Sequence, residues 1–281
     1  MNLAHIGCAL VAIKNIAKKM TNHPLDQALH LTAGAEPHTF IGATSPAYWN
    51  MVGPFGGYTA ALAVRSVMQH PALLGELVAL TVNYAGATSE GPFVITATPA
   101  RTNRSTQHWV IALSQTNAAG EQEVAMTATA MTAIRRDTWH LSDMPMPTVP
   151  AAAQVERDAS VGTMAWLNRY DMRSIQGGIP QQWDGSGDNT LSQLWVRDIE
   201  PRALDYASLA AMADVFYPRI WLRRATRVAA GTVSMTTYFH ASTTQMQEVG
   251  TSYLLAQAQA QAFRHGFFDQ TAQLWSEAGI L

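Results

Sequence analysis

Cysteine is nearly absent: the 281-residue chain has one, Cys8. That excludes an internal disulfide framework and any zinc site built on cysteines, and it fits a reducing cytoplasm. Excess charge of either sign is also missing, with 18 Lys and Arg against 20 Asp and Glu, a net charge of -2 and a pI near 6.5. Without a basic stripe interleaved with aromatics there is no electrostatic footprint for a phosphate backbone, so nucleic acid is not an expected partner. No apolar run approaches the roughly 20 residues that span a bilayer, so no membrane partner is expected. No Gly-x-Ser-x-Gly elbow occurs, which disfavours an α/β-hydrolase route. What is present is 48% hydrophobic residues, enough for a large core in one or two folded units.

The first residues, Met1 to Met20, hold a short apolar patch from Leu3 to Ile13, followed by Lys14, Lys18 and Lys19. A secretory signal carries its positive charge before the apolar core, so the order argues against secretion. Residues 1–20 are read as a loosely attached helix or as an extension ahead of a natural start at Met20, with no nameable chemistry.

The chain is organised around Gly53 to Met68. Pro54 and the pair Gly56, Gly57 form a flexible entry, and an apolar stretch rich in small residues follows, interrupted only by Thr59, Arg65 and Ser66. A helix apolar on nearly all sides must be surrounded, and Ala60, Ala61 and Ala63 let a curved sheet come close. Ahead of it, Asp26 to Ala33 and His38 to Thr44 read as a strand pair around the turn Gly34 to Pro37. Behind it, alternation marks strands at Leu77–Tyr84, Phe93–Thr102, Gln107–Gln115 and Gln122–Ile134, joined by short connections that favour antiparallel neighbours.

Residues 144–165, rich in Pro and Ala at their start, read as a linker between a unit at 21–143 and a second at 166–281. The order of elements then repeats. Trp166–Ile175 and Ser192–Ile199 read as the strand pair, Leu204–Tyr217 as the helix, and Thr232–Ala241, Ser252–Arg264 and Gln270–Ser276 as three strands behind it. The counterpart of the last strand of the first unit is expected to be missing, since Gly279 is followed only by Ile280 and Leu281.

A glycine-entered apolar helix followed by antiparallel strands, present twice, resembles the double hot-dog acyl-CoA thioesterases of the bacterial type II class. The likeness is carried by Ser45 to Gly57, Leu194-Trp-Val-Arg197, Ala213-Asp214, Thr232 through His240 and Leu274 to Gly279. It implies an α+β fold of two helix-in-sheet repeats forming a pseudo-dimer, an acyl-CoA substrate, no metal and no cofactor, and association into a homo-oligomer. It also implies that a water is held by Asp214 and Thr232, and it places the family's third water ligand, a Gln, in the strand expected to be missing. Gln257, Gln259 and Gln261 lie on an earlier strand and do not substitute for it.

The residues support Asp214 independently. On a helix it shares a face with Ala207, Ala210 and Ala211, where a carboxylate is costly unless paired or used. The other reading is a carboxylate satisfied by backbone, by Arg219 or by Arg223. Thr232 is an ordinary strand residue sharing its face with Ser234 and Thr236, and His240, His108 and His38 are weaker candidates. A thioester has a good leaving group, so the chemistry needs an activated water and a stabilised oxyanion. Asp214 is expected to act on the water, Thr232 to hydrogen-bond it, and a backbone N–H at Gly57, or at its counterpart before the second helix, to polarise the carbonyl, with Gly56 and Gly57 as the substrate-binding residues. Trp49, Phe55, Tyr58, Trp109, Phe216 and Tyr217 are candidates for an acyl tunnel. The alternatives are a non-catalytic acyl-CoA-binding or scaffold protein and, less favoured, an enoyl-thioester hydratase.

Overall fold

The computed structural model describes residues 23–159 and 164–279, so the N-terminal extension lies outside the described residues. The first element is a short helix, α1 (Pro24–Ala28), where the sequence predicts a strand. Pro24 sits in the first turn and the His23 side chain accepts the Leu25 N–H, so local capping outweighs the alternation. Only β1 (Thr32–Ala33) remains of that strand, paired with β2 (Thr39–Ala43).

The central helix α2 (Gly56–Met68) is buried from Gly57 through Val64 and again at Ser66 and Val67. The buried Ser66 hydroxyl donates to the Ala63 carbonyl at 2.8 Å, which removes the cost of placing it there. Around the helix run β3 (Glu76–Tyr84), β4 (Pro92–Thr102), β5 (Thr106–Thr116) and β6 (Gln122–Ala133). Each turns one alternating face inward: Leu80 and Val82, Phe93, Ile95 and Ala97, Trp109, Ile111 and Leu113, then Met126, Ala128 and Ala130.

In the second half come β7 (Tyr170–Gln176), β8 (Ser192–Asp198), the helix α3 (Tyr206–Met212), α4 (Arg219–Arg224), β9 (Ser234–Tyr238), α5 (Thr243–Val249), β10 (Leu254–Gln259), a small hairpin of β11 (Phe263–Arg264) and β12 (Phe267–Phe268), and β13 (Thr271–Ser276). The second helix is half the length that the apolar pattern predicts, and α4 and α5 are additional.

The strands form a seven-stranded sheet in the order β1-β2-β4-β5-β6-β3-β9 and a four-stranded sheet in the order β13-β10-β8-β7. All pairings are antiparallel, so the fold is α+β. The two halves are joined where β9 pairs with β3 across Ala79–Asn83. Arg135 fastens the same seam, its guanidinium donating to the carbonyls of Leu77, Phe239 and Ala241. In the first half β6 lies between β5 and β3. Between the corresponding β13 and β9 there is no strand among the described residues.

Candidate active site

The two central helices meet end to side. A β-carbon on Gly57 would stand 2.4 Å from the Ala211 carbonyl oxygen, and one on Gly56 would stand 2.6 Å from Asp214 Oδ2. Two glycines are therefore needed for the start of α2 to approach the end of α3 this closely. Asp214 is not on the helical face that the sequence suggests, because α3 ends at Met212 with Ala213 as its cap. Asp214 follows in the closing turn, its N–H donating to the Ala211 carbonyl at 3.2 Å, and its carboxylate faces the start of α2.

Burial is the main influence on this carboxyl and raises it to about 7, against the lowering effects of the Gly57 backbone N–H and the Thr232 hydroxyl, which both donate toward it. The positive end of the α2 dipole acts in the same direction as those donors. The residue retains partial solvent contact at the floor of a groove. Neither arginine considered as its partner pairs with it. Arg219 is fully buried and donates to the carbonyls of Tyr217 and Thr190 and to Ser192 Oγ, and that burial lowers its guanidinium to about 10. Arg223 donates to the Gly187 carbonyl. Among the described residues Asp214 has no ion pair.

Thr232 lies two residues ahead of β9, so strand alternation does not reach it. Its hydroxyl donates to Asp214 Oδ1 at 3.4 Å, whereas Ser234 and Thr236 bond Asn83 and Thr81 on the exposed surface of the sheet. The long Thr232–Asp214 distance is that of a weak direct bond, and a hydroxyl so placed serves a shared water as readily.

The groove has a volume of about 1720 Å³, more than the roughly 300–1,000 Å³ of an ordinary small-molecule site. Its walls run from the Gly53–Gly56 entry across Asp214 to the residues of β9 and β13, so the open space between those strands belongs to it. Of the candidate tunnel aromatics, Phe55, Phe216 and Tyr217 line it; Tyr58 and Trp109 are core residues, and Trp49 is not in the lining. Phe55 is held by Trp166, whose ring stacks on it at 4.2 Å.

His240 lines the groove, while His108 is exposed on β5 and His38 is paired with His70 at 2.9 Å in a separate pocket. Gln257 is held by Gln193 and Gln273, and Gln261 by Asp269 and Thr271, so neither bonds Asp214. Among the described residues no group of three metal-ligating side chains assembles, and no helix is long and apolar enough to cross a membrane.

Residues without a distinguishing sequence signal also contribute. Tyr84 lines the groove beside Gly56 and reads in the sequence only as one more alternating strand residue. Arg224 and Arg264 lie on the groove wall.

Residues 45–133 match the family described as acyl-CoA thioesterase N-terminal domain, and residues 143–281 match acyl-CoA thioesterase C-terminal domain. No curated protein sequence matches the chain. A conserved protein of unknown function with a hot dog fold from Alicyclobacillus acidocaldarius is 40% identical, over 92% of this chain and 94% of that one, with a TM-score of 0.85. A putative thioesterase II from Thermobifida fusca shares 18% identity over 92% of this chain and 95% of its own, with a TM-score of 0.74. An acyl-CoA thioesterase II from Mycobacterium marinum shares 15% identity over 91% and 93%, with a TM-score of 0.69. The last two likenesses are likenesses of fold.

Proposed function

Because this chain belongs to the double hot-dog acyl-CoA thioesterase family, we propose that it hydrolyses acyl-CoA thioesters with a water placed between Asp214 and Thr232. The observation that carries the reading is a carboxylate with no cationic partner among the described residues, at the floor of a large groove, held by one backbone N–H and one hydroxyl. A buried carboxylate left without a counter-ion is costly, and its raised pKa suits a general base working near neutrality.

In this reading the Asp214 carboxylate takes a proton from the water as its oxygen attacks the thioester carbonyl carbon. The Gly57 N–H keeps the carboxylate oriented, and the Gly56 N–H at the same helix start stabilises the oxyanion. Collapse of the tetrahedral intermediate breaks the carbon–sulfur bond, and the proton held by Asp214 passes to the departing thiolate. The products are the free acid and CoA. Phe55, Phe216 and Tyr217 offer apolar surface to the acyl chain. The same reading has the enzyme act in fatty acid metabolism in the cytoplasm, as a homo-oligomer, with units at 21–143 and 166–281 joined by the 144–165 linker.

The decisive experiment is a thiol-release assay on Asp214→Asn. Loss of about 10²–10⁴-fold in turnover is expected for removal of a general base. Unchanged turnover would refute the assignment. Calorimetric binding of acyl-CoA without thiol release by the wild-type protein would favour a binding protein instead, and loss of enoyl absorbance without free thiol would favour hydration.

A further inference from the structure

Tyr84 is the last residue of β3, and its hydroxyl donates to the Gly56 carbonyl at 2.9 Å. That carbonyl and the Gly57 N–H are the two ends of one peptide group, which lies against the Asp214 carboxylate, and the Gly57 N–H acts on that carboxylate to lower it. An amide that accepts a hydrogen bond at its oxygen is polarised and donates more strongly at its nitrogen. The packing requires glycine at this position, since a β-carbon on Gly56 would lie 2.6 Å from Asp214 Oδ2 and 3.4 Å from Tyr84 Cζ. Tyr84 also acts through its backbone: its N–H donates to the Val233 carbonyl at 2.9 Å, immediately after Thr232.

We propose that Tyr84 is the positioning residue of the site. Its hydroxyl fixes the Gly56–Gly57 peptide that aims an N–H at Asp214, and its backbone ties down the segment that carries Thr232. One residue thereby sets the spacing of the two groups between which the water is placed. The inference rests on the role proposed for Asp214. It gives Tyr84 no contact with the reacting atoms and no proton to transfer, because burial holds its hydroxyl well above the usual phenol range. Among the described residues the other titratable group that senses Asp214 is Tyr170 on β7, likewise raised by burial and neutral in the working range.

The test is Tyr84→Phe, which keeps the ring and removes only the hydroxyl. Turnover of acyl-CoA is expected to fall about threefold to tenfold, the worth of one ordinary hydrogen bond, with KM little changed. The acid limb of the kcat profile should move to higher pH, because a weaker Gly57 donor stabilises the carboxylate less. A purely structural role would lower thermal stability and leave that limb in place.

Incorporation of 3-fluorotyrosine at position 84 gives a stronger donor of nearly the same shape, and is expected to move the limb to lower pH. It also keeps the question open to test should the Phe variant fold poorly. Asp214→Asn, assayed alongside, separates the two levels: full activity in that variant removes the Asp214 reading itself. An inactive Asp214→Asn, combined with a wild-type acid limb for both position-84 variants, overturns the role of Tyr84 alone.

Discussion

Gly57 and Ala211 meet backbone to backbone, with so little room that a β-carbon on Gly57 would stand 2.4 Å from the Ala211 carbonyl oxygen. That same carbonyl accepts the Asp214 N–H, so the contact that joins the two central helices also sets the height of the carboxylate. Gly57→Ala must push backbone against backbone, which no rotamer change relieves. A loss of stability on the order of 1–3 kcal/mol is expected, as for overpacking of a tight core. Activity should fall further than stability predicts, and denaturant unfolding paired with thiol release measures both.

The raised carboxyl of Asp214 fixes the direction of two pH dependences. In the proposed role of base it must be ionised, so kcat is expected to rise with pH and level off above about 7. For stability the sign is opposite to that of an ion-paired carboxylate. The group titrates near 3.8 in the unfolded chain and about 7 in the folded one, so the folded state binds the extra proton and loses stability as pH rises between those values. Asp214→Asn removes that penalty. Its melting temperature should exceed that of wild type by a few degrees at pH 8, with the gap closing toward pH 4. Calorimetry across that range is the check.

Thr232 is exposed and outside regular structure, so its replacement separates chemistry from folding. Thr232→Val is expected to leave stability within about 0.5 kcal/mol of wild type. It should lower kcat roughly 10- to 100-fold, the range for a hydrogen bond to a charged group. Thr232→Ser, which restores the hydroxyl, should recover most of the rate.

The arginines around α4 are expected to govern recognition of the CoA moiety. Arg224 lines the groove, Arg227 lies over the Trp183 ring at 4.5 Å, both are exposed, and no acidic residue occurs between Asp214 and Glu248. Reversing both charges should cost about 1 kcal/mol each, or roughly 30-fold in KM for acyl-CoA at low salt. The acyl thioester of N-acetylcysteamine, which lacks the phosphates, should be hydrolysed as before, and added salt should shrink the difference.

In the first half the strands β3 to β6 and the helix α2 were legible from the sequence, whereas α1 was not. Alternating apolar residues in β3 to β6 and the glycine entry to α2 are local signals, and the strands and helix stand within a few residues of where they are read. The sequence also drew attention to Asp214, because an acid among alanines is costly wherever the backbone places it. The length of α3 and the existence of α4 and α5 were decided by tertiary structure, since helices of six or seven residues are marginal alone and persist through the contacts they make.

Only the packed chain settled what surrounds Asp214. Arg219, five residues away, is spent on backbone carbonyls and Ser192, while Gly57 and Thr232, remote in sequence, reach the carboxylate. The position of Tyr84 depends on the pairing of β3 with β9 and on the approach of two helices, and no periodicity within a strand encodes either. The sequence supplied a carboxylate that had to be paired or used; the tertiary structure left it without a cation among the described residues and placed it at the floor of a groove.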